Sequence, residues 1–127
     1  MNKKIIIITV VLIVIVVAGV ISLVWYLEYR KNVDMLGKAI TAIRADPDKG
    51  IKLCEYMTVD KSETACYFTY LGFKMSTIRE SYGENLTEEA EAKMNEELAA
   101  EVNKVCDILK DNEHAVEPCE MVRTNIG

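Results

Sequence analysis

Residues 5–27, IIIITVVLIVIVVAGVISLVWYL, are 23 consecutive positions without one ionisable side chain. As a helix this run is about 34 Å long, enough to cross a hydrocarbon layer about 30 Å thick. Its Ile and Val content would suit a buried strand in water. In lipid each backbone N–H and C=O must be paired within the segment, so a lone run becomes a helix. Trp25, Tyr26 and Tyr29 then fall at the outer interface, where amphipathic rings settle, and Arg30 and Lys31 mark the end of the span.

The run is read as a retained transmembrane signal-anchor in contact with membrane lipid. A cleavable leader has an apolar core of about 7–15 residues followed by small residues. Here the run is longer, and VWYLEY stands where cleavage would fall. A pilin-like filament subunit shares the gross layout, but no processing site is evident near Lys3-Lys4 and no acid lies early in the helix. Ala18, Gly19 and Ser22 could admit a neighbouring helix; they are read as the ordinary small residues of a span.

After Leu27 the chain carries 13 basic and 20 acidic side chains, a net of -7. Such a surface repels phosphate backbones, so no nucleic-acid partner is expected. It also repels anionic headgroups, which argues against the globular part lying on a membrane. A hundred residues bury only a modest core, for which disulfides compensate. Tyr67, Phe68, Tyr70 and Phe73 are clustered and are expected at its centre.

Helical signals fill this part. Val33, Leu36, Ile40 and Ile43 recur at helical spacing, so the anchor helix continues to about Arg44 as a membrane-proximal extension over residues 28–45. Asp46-Pro47 stops it and starts another helix, with apolar face Ile51, Cys54 and Met57. Asp60 with Glu63 predicts a capping-box-like start of a helix ending at Gly83. Thr87 caps the next, striped by Met94, Leu98, Val102, Val105 and Leu109. A turn over 111–115 precedes a short helix containing Cys119. Gly72, mid-helix, is expected to admit a close neighbour or mark a kink.

Four cysteines lie on this map. Cys54 and Cys66 stand about one turn either side of a polar turn, and Cys106 and Cys119 stand likewise about Asn112-Glu113. Residues equidistant from the turn of a helix pair face each other, within the ~4.4–6.8 Å between Cα atoms that a disulfide needs. Of three connectivities, Cys54–Cys66 and Cys106–Cys119 is therefore preferred. Each would close a loop worth on the order of 3 kcal/mol in the chain-entropy model. Disulfides belong to an oxidising space, which places the domain of residues 46–127 outside and residues 1–4 in the cytoplasm. Zinc sites and thiol-redox enzymes favour closer spacings such as C-x-x-C; four buried free thiols are the other alternative.

KLCEYM and KVCDIL match at an offset of 52, each followed by a second Cys, which suggests two copies of an α-repeat-like helical hairpin. Cys54-Glu55-Tyr56-Met57 and Cys66-Tyr67-Phe68-Thr69 carry a further likeness. Over residues 45–122 the chain resembles a loose group of uncharacterised, mostly archaeal, membrane-anchored proteins with disulfide-linked helical-hairpin ectodomains. The second unit departs from that pattern, since Glu120 follows Cys119. The resemblance implies no known activity.

Other candidates are few. Asn85-Leu86-Thr87 is a glycosylation sequon in a loop, although Thr87 also serves as a cap. His114, the single histidine, reads as a surface residue. The acidic runs at 88–91 and 96–97 read as a solvated helix face rather than a calcium site. Tyr67, Tyr70 and Phe73 could line a groove, but core packing is the simpler reading. The sequence offers no Ser-His-Asp set, no metal-binding His pair and no phosphate loop.

The expectation is an all-α, single-pass plasma-membrane protein with an extracytoplasmic helical domain and two intra-hairpin disulfides. Its role would be non-catalytic, a protein-interaction or scaffolding module needing no cofactor or metal, with an unidentified protein partner or a second copy of itself. The alternatives are an accessory subunit of a larger membrane complex, a pilin-like subunit and a thiol-redox protein.

Overall fold

A computed structural model describes residues 2–126, and every regular element among them is helical. The order is α1 (Lys3–Ala45), α2 (Pro47–Gly50), a 3-10 helix (Ile51–Tyr56), α3 (Asp60–Tyr82), α4 (Glu88–Ile108), a 3-10 turn (Glu113–Ala115) and α5 (Val116–Ile126). The chain divides into two compact units, the first ending at Lys31 and the second beginning at Asn32.

In the first unit every described side chain is exposed, all around α1. A helix that is apolar on all sides is either buried in a large core or a membrane span. None of its apolar stretch is buried, and by length and composition α1 is a candidate span.

The second unit opens on the remaining part of α1. Its buried positions are Asn32, Ala39 and Ile43, with Met35, Leu36 and Ile40 half-buried. The expected stripe is thus shifted, and Val33 is 45% exposed. Counting large apolar residues passes over Asn32 and Ala39, which hold core positions by a polar bond and by small size.

Asp46 caps α2 as the sequence predicts, its carboxylate accepting from the N–H groups of Asp48 and Lys49. The α-helix then lasts only to Gly50, and a 3-10 helix follows. The physical reason is visible in Ile51, Cys54 and Met57. Their spacing of three matches 3.0 residues per turn, not 3.6. Cys54 and Met57 are buried and Ile51 half-buried. Gly50 makes the close approach in this region: an added Cβ would stand 2.6 Å from Ile43 Cα.

The start of α3 corrects the expected capping box. Val59 holds the cap position with no side-chain cap bond, and Asp60 is already the first helical residue. Along α3, Cys66, Tyr67, Tyr70, Leu71 and Ile78 are buried. The aromatic cluster is therefore central only in part. Phe68 is half-buried, while Phe73 is 37% exposed and lies 5.9 Å from the Arg44 guanidinium. Gly72 is exposed, and a Cβ there would meet nothing within 4 Å, so it admits no close neighbour.

Gly83, at φ +77, terminates α3 in a conformation that side chains disfavour. Thr87 Oγ1 accepts from Ala90 N at 3.2 Å, and Glu88, Glu89 and Glu91 occupy the first turn of α4, where the helix dipole favours acids. Leu98, Val102, Val105 and Leu109 are buried as expected and Met94 is half-buried. Helix α3 packs on α4, and α4 on α5. The core of the second unit joins Ala39 and Ile43 of α1 to Tyr70, Leu71, Val102, Val105 and the four cysteines.

Candidate functional site

Cys54, on the 3-10 helix, is bonded to Cys66 on α3, with Cα atoms 5.6 Å apart. Cys106, on α4, is bonded to Cys119 on α5, with Cα atoms 5.9 Å apart. Both lie within the usual disulfide range. The two sequence copies nevertheless rest on unlike elements, since Cys54 belongs to a six-residue 3-10 helix and Cys106 to a 21-residue α-helix.

Two buried asparagines meet at the start of α3. Asn32 Oδ1 accepts the backbone N–H of Thr58 at 2.9 Å and of Val59 at 3.2 Å, while its Nδ2 donates to Thr58 Oγ1 at 2.9 Å. Asn112 Nδ2 donates to the Asp60 carbonyl at 2.9 Å, and its Oδ1 accepts from His114 N at 3.0 Å. Asn32 thus fixes from α1 the backbone just before α3, and accepts the N-cap N–H of Val59 that the acid of a capping box would take. Sequence reasoning missed both residues. A signal existed for each: Asn32 is a polar residue in register with Leu36 and Ile43, and Asn112 directly precedes a helical turn, a position that favours Asn.

A second polar cluster joins α3 to α4. Tyr70 Oη donates to Glu101 Oε2 at 2.8 Å. Lys104 Nζ donates to Tyr70 Oη at 3.4 Å and stands 5.4 Å from the ring centroid. Burial first, then the bond to the Glu101 carboxylate, pushes the Tyr70 phenol well above its ordinary range. Burial also raises Tyr67, with Glu55 and Glu63 adding to it. Tyr82 Oη donates to Glu97 Oε1 at 2.8 Å, and that bond is the main cause of its raised pKa. The Tyr70 and Tyr82 phenols thus act as donors from α3 to carboxylates of α4 and clasp the two helices together.

A cleft of about 240 Å³ opens beside the second disulfide, lined by Cys106, Cys119, Leu109, Val116, Lys110 and Arg123 among others. Among the described residues no group of three or more His, Cys, Asp or Glu could hold a metal ion. His114 is exposed in its 3-10 turn. Asn85 is exposed in the connection between α3 and α4, with Thr87 already engaged as a cap. Trp25, Tyr26 and Tyr29 are exposed by 73%, 57% and 60%, and Arg30 and Lys31 are exposed beside them.

No family model matches the chain, and neither does any curated protein or solved structure.

Proposed function

We propose that the chain is a single-pass protein of the plasma membrane, anchored through residues 5–27, with its N-terminus in the cytoplasm. Residues 46–127 form a disulfide-stapled helical-hairpin domain on the outer face. There it serves as a non-catalytic protein-interaction or scaffolding module. The observation that carries this reading is the pairing, in one chain, of an all-round apolar helix with two disulfides. The first needs lipid and the second an oxidising space. Buried side chains of the second unit are committed to packing and to helix clasps, which suits a rigid presenting scaffold.

The accessory-subunit reading draws on Ala18, Gly19 and Ser22. Gly19 has open space around it, so another span could approach closely.

Intact mass of the native protein, with and without reductant before alkylation, tests the reading together with protease accessibility in sealed cells. The expected result is an uncleaved chain, no alkylation until reduction, and digestion of the C-terminal domain from outside. Alkylation of all four cysteines without reductant overturns it.

A further inference from the structure

Tyr56 ends the 3-10 helix and is 62% exposed, although Cys54 and Met57 on either side of it are buried. The disulfide at Cys54 fixes the backbone that presents it. The next two residues, Thr58 and Val59, are both hydrogen-bonded to Asn32 Oδ1. Asn32 directly follows Lys31, the last residue of the Tyr29-Arg30-Lys31 exit, so their Cα atoms are about 3.8 Å apart. That link is covalent and holds for any arrangement of the two units. The segment bearing Tyr56 is therefore tethered to the end of the membrane span.

We propose that Tyr56 is a second interfacial anchor, its ring seated in the headgroup layer of the bilayer that residues 5–27 cross. The inference rests on the anchored reading above. A Tyr ring with an apolar body and a polar tip suits that layer. Charge permits it locally. Residues 51–61 hold Lys52 and Lys61 against Glu55 and Asp60 and are neutral, whereas α4 holds seven acids and two lysines. Asp111 and Glu113 flank Asn112, which is bonded to the Asp60 carbonyl, so the seat fits a zwitterionic rather than an anionic headgroup layer.

Trp25 is the single tryptophan, which makes the test direct. The full chain is reconstituted in phosphatidylcholine vesicles with and without lipid carrying a nitroxide on the headgroup. In a Trp25→Phe background, the Tyr56→Trp reporter should emit to the blue of a Glu84→Trp reporter and lose most of its emission to the nitroxide. Glu84 is exposed just beyond the opposite end of α3, about 34 Å from its start, and its reporter should keep its emission. Both positions are exposed, so neither change disturbs the core, and absence of thiol labelling confirms that both disulfides persist. Equal emission and equal lack of quenching at the two positions overturns the proposal. The wild-type chain separates the causes. Quenched Trp25 with an unquenched Tyr56→Trp reporter removes this inference alone, while unquenched Trp25 removes the anchor and the inference together.

Discussion

Asn112 Nδ2 donates to the carbonyl oxygen of Asp60 at 2.9 Å, across 52 residues of chain. The turn of the second disulfide is thereby tied to the helix start of the first. Asn112 is 5% exposed, so its loss strands buried polar groups. Asn112→Ala should cost about 1–3 kcal/mol. Asn112→Asp keeps the acceptor for His114 N but turns a donor into a second acceptor facing the Asp60 carbonyl and Glu63. It should cost at least as much. Urea unfolding of the detergent-solubilised full chain, disulfides intact, checks both; an unchanged midpoint for Asn112→Ala would show that the link contributes nothing.

Two glycines should respond with opposite sign. Gly50→Ala drives a methyl group against the α1 backbone at Ala42 and Ile43, where no side chain can swing aside. Overpacking of this kind costs about 1–3 kcal/mol, and backbone contact puts it at the upper end. Gly72→Ala, exposed inside α3 with open space around it, should stabilise by about 0.5–1 kcal/mol. Thermal or urea midpoints of the two variants should move in opposite directions.

Gly50 and Gly72 also show what could be read in advance. Gly72 interrupts a helical pattern, yet local pattern says nothing about which backbone passes nearby. Gly50 sits at the end of a short polar stretch and looks like turn residue, and only the fold brings Ile43 against it. The extent of α1, the Asp46 and Thr87 caps, the stop at Gly83 and both disulfide pairs were legible, because caps, breakers and cysteine spacing act within a few residues or across one turn. The α3 start is not legible locally, because Asn32, which holds the backbone just before it, lies 26 residues before Thr58. The 3-10 helix was hidden because three apolar residues at spacing three satisfy a loose helical template. Clustering with Tyr67, Phe68 and Tyr70 predicts Phe73 inside, whereas the register of α3 turns it toward Arg44.

The two disulfides should reduce in order. Cys54 and Cys66 are fully buried, while Cys106 and Cys119 are 5% and 6% exposed and line an open cleft with Lys110 and Arg123. An attacking thiolate needs access to a sulfur, and the cleft supplies it; its two cations are offset by Asp107 and Glu120, so access sets the order. Stepwise addition of a small thiol to the folded protein, with alkylation and peptide mapping at each step, should label Cys106 and Cys119 first. Simultaneous labelling of all four would indicate that reduction proceeds through global unfolding.

Tyr70 should leave a mark on alkaline stability. The folded chain holds its phenolic proton more tightly than the unfolded chain, whose tyrosines titrate near pH 10. Below that pH both states are protonated and this stabilisation is fully present. Above it the unfolded state releases the proton first, so it binds fewer protons and stability falls as pH rises toward the folded value. Tyr70→Phe removes this linkage together with the bond to Glu101. The variant should be less stable at pH 7, by about 1.5 kcal/mol for a bond to a charged, half-exposed acceptor. Its stability should then decline less steeply than wild type beyond pH 10, although Tyr67 and Tyr82, also raised, keep some slope. Urea midpoints at pH 7, 10 and 11 measure both effects, and parallel curves for the two proteins would show that the Tyr70 phenol is not held as the geometry indicates.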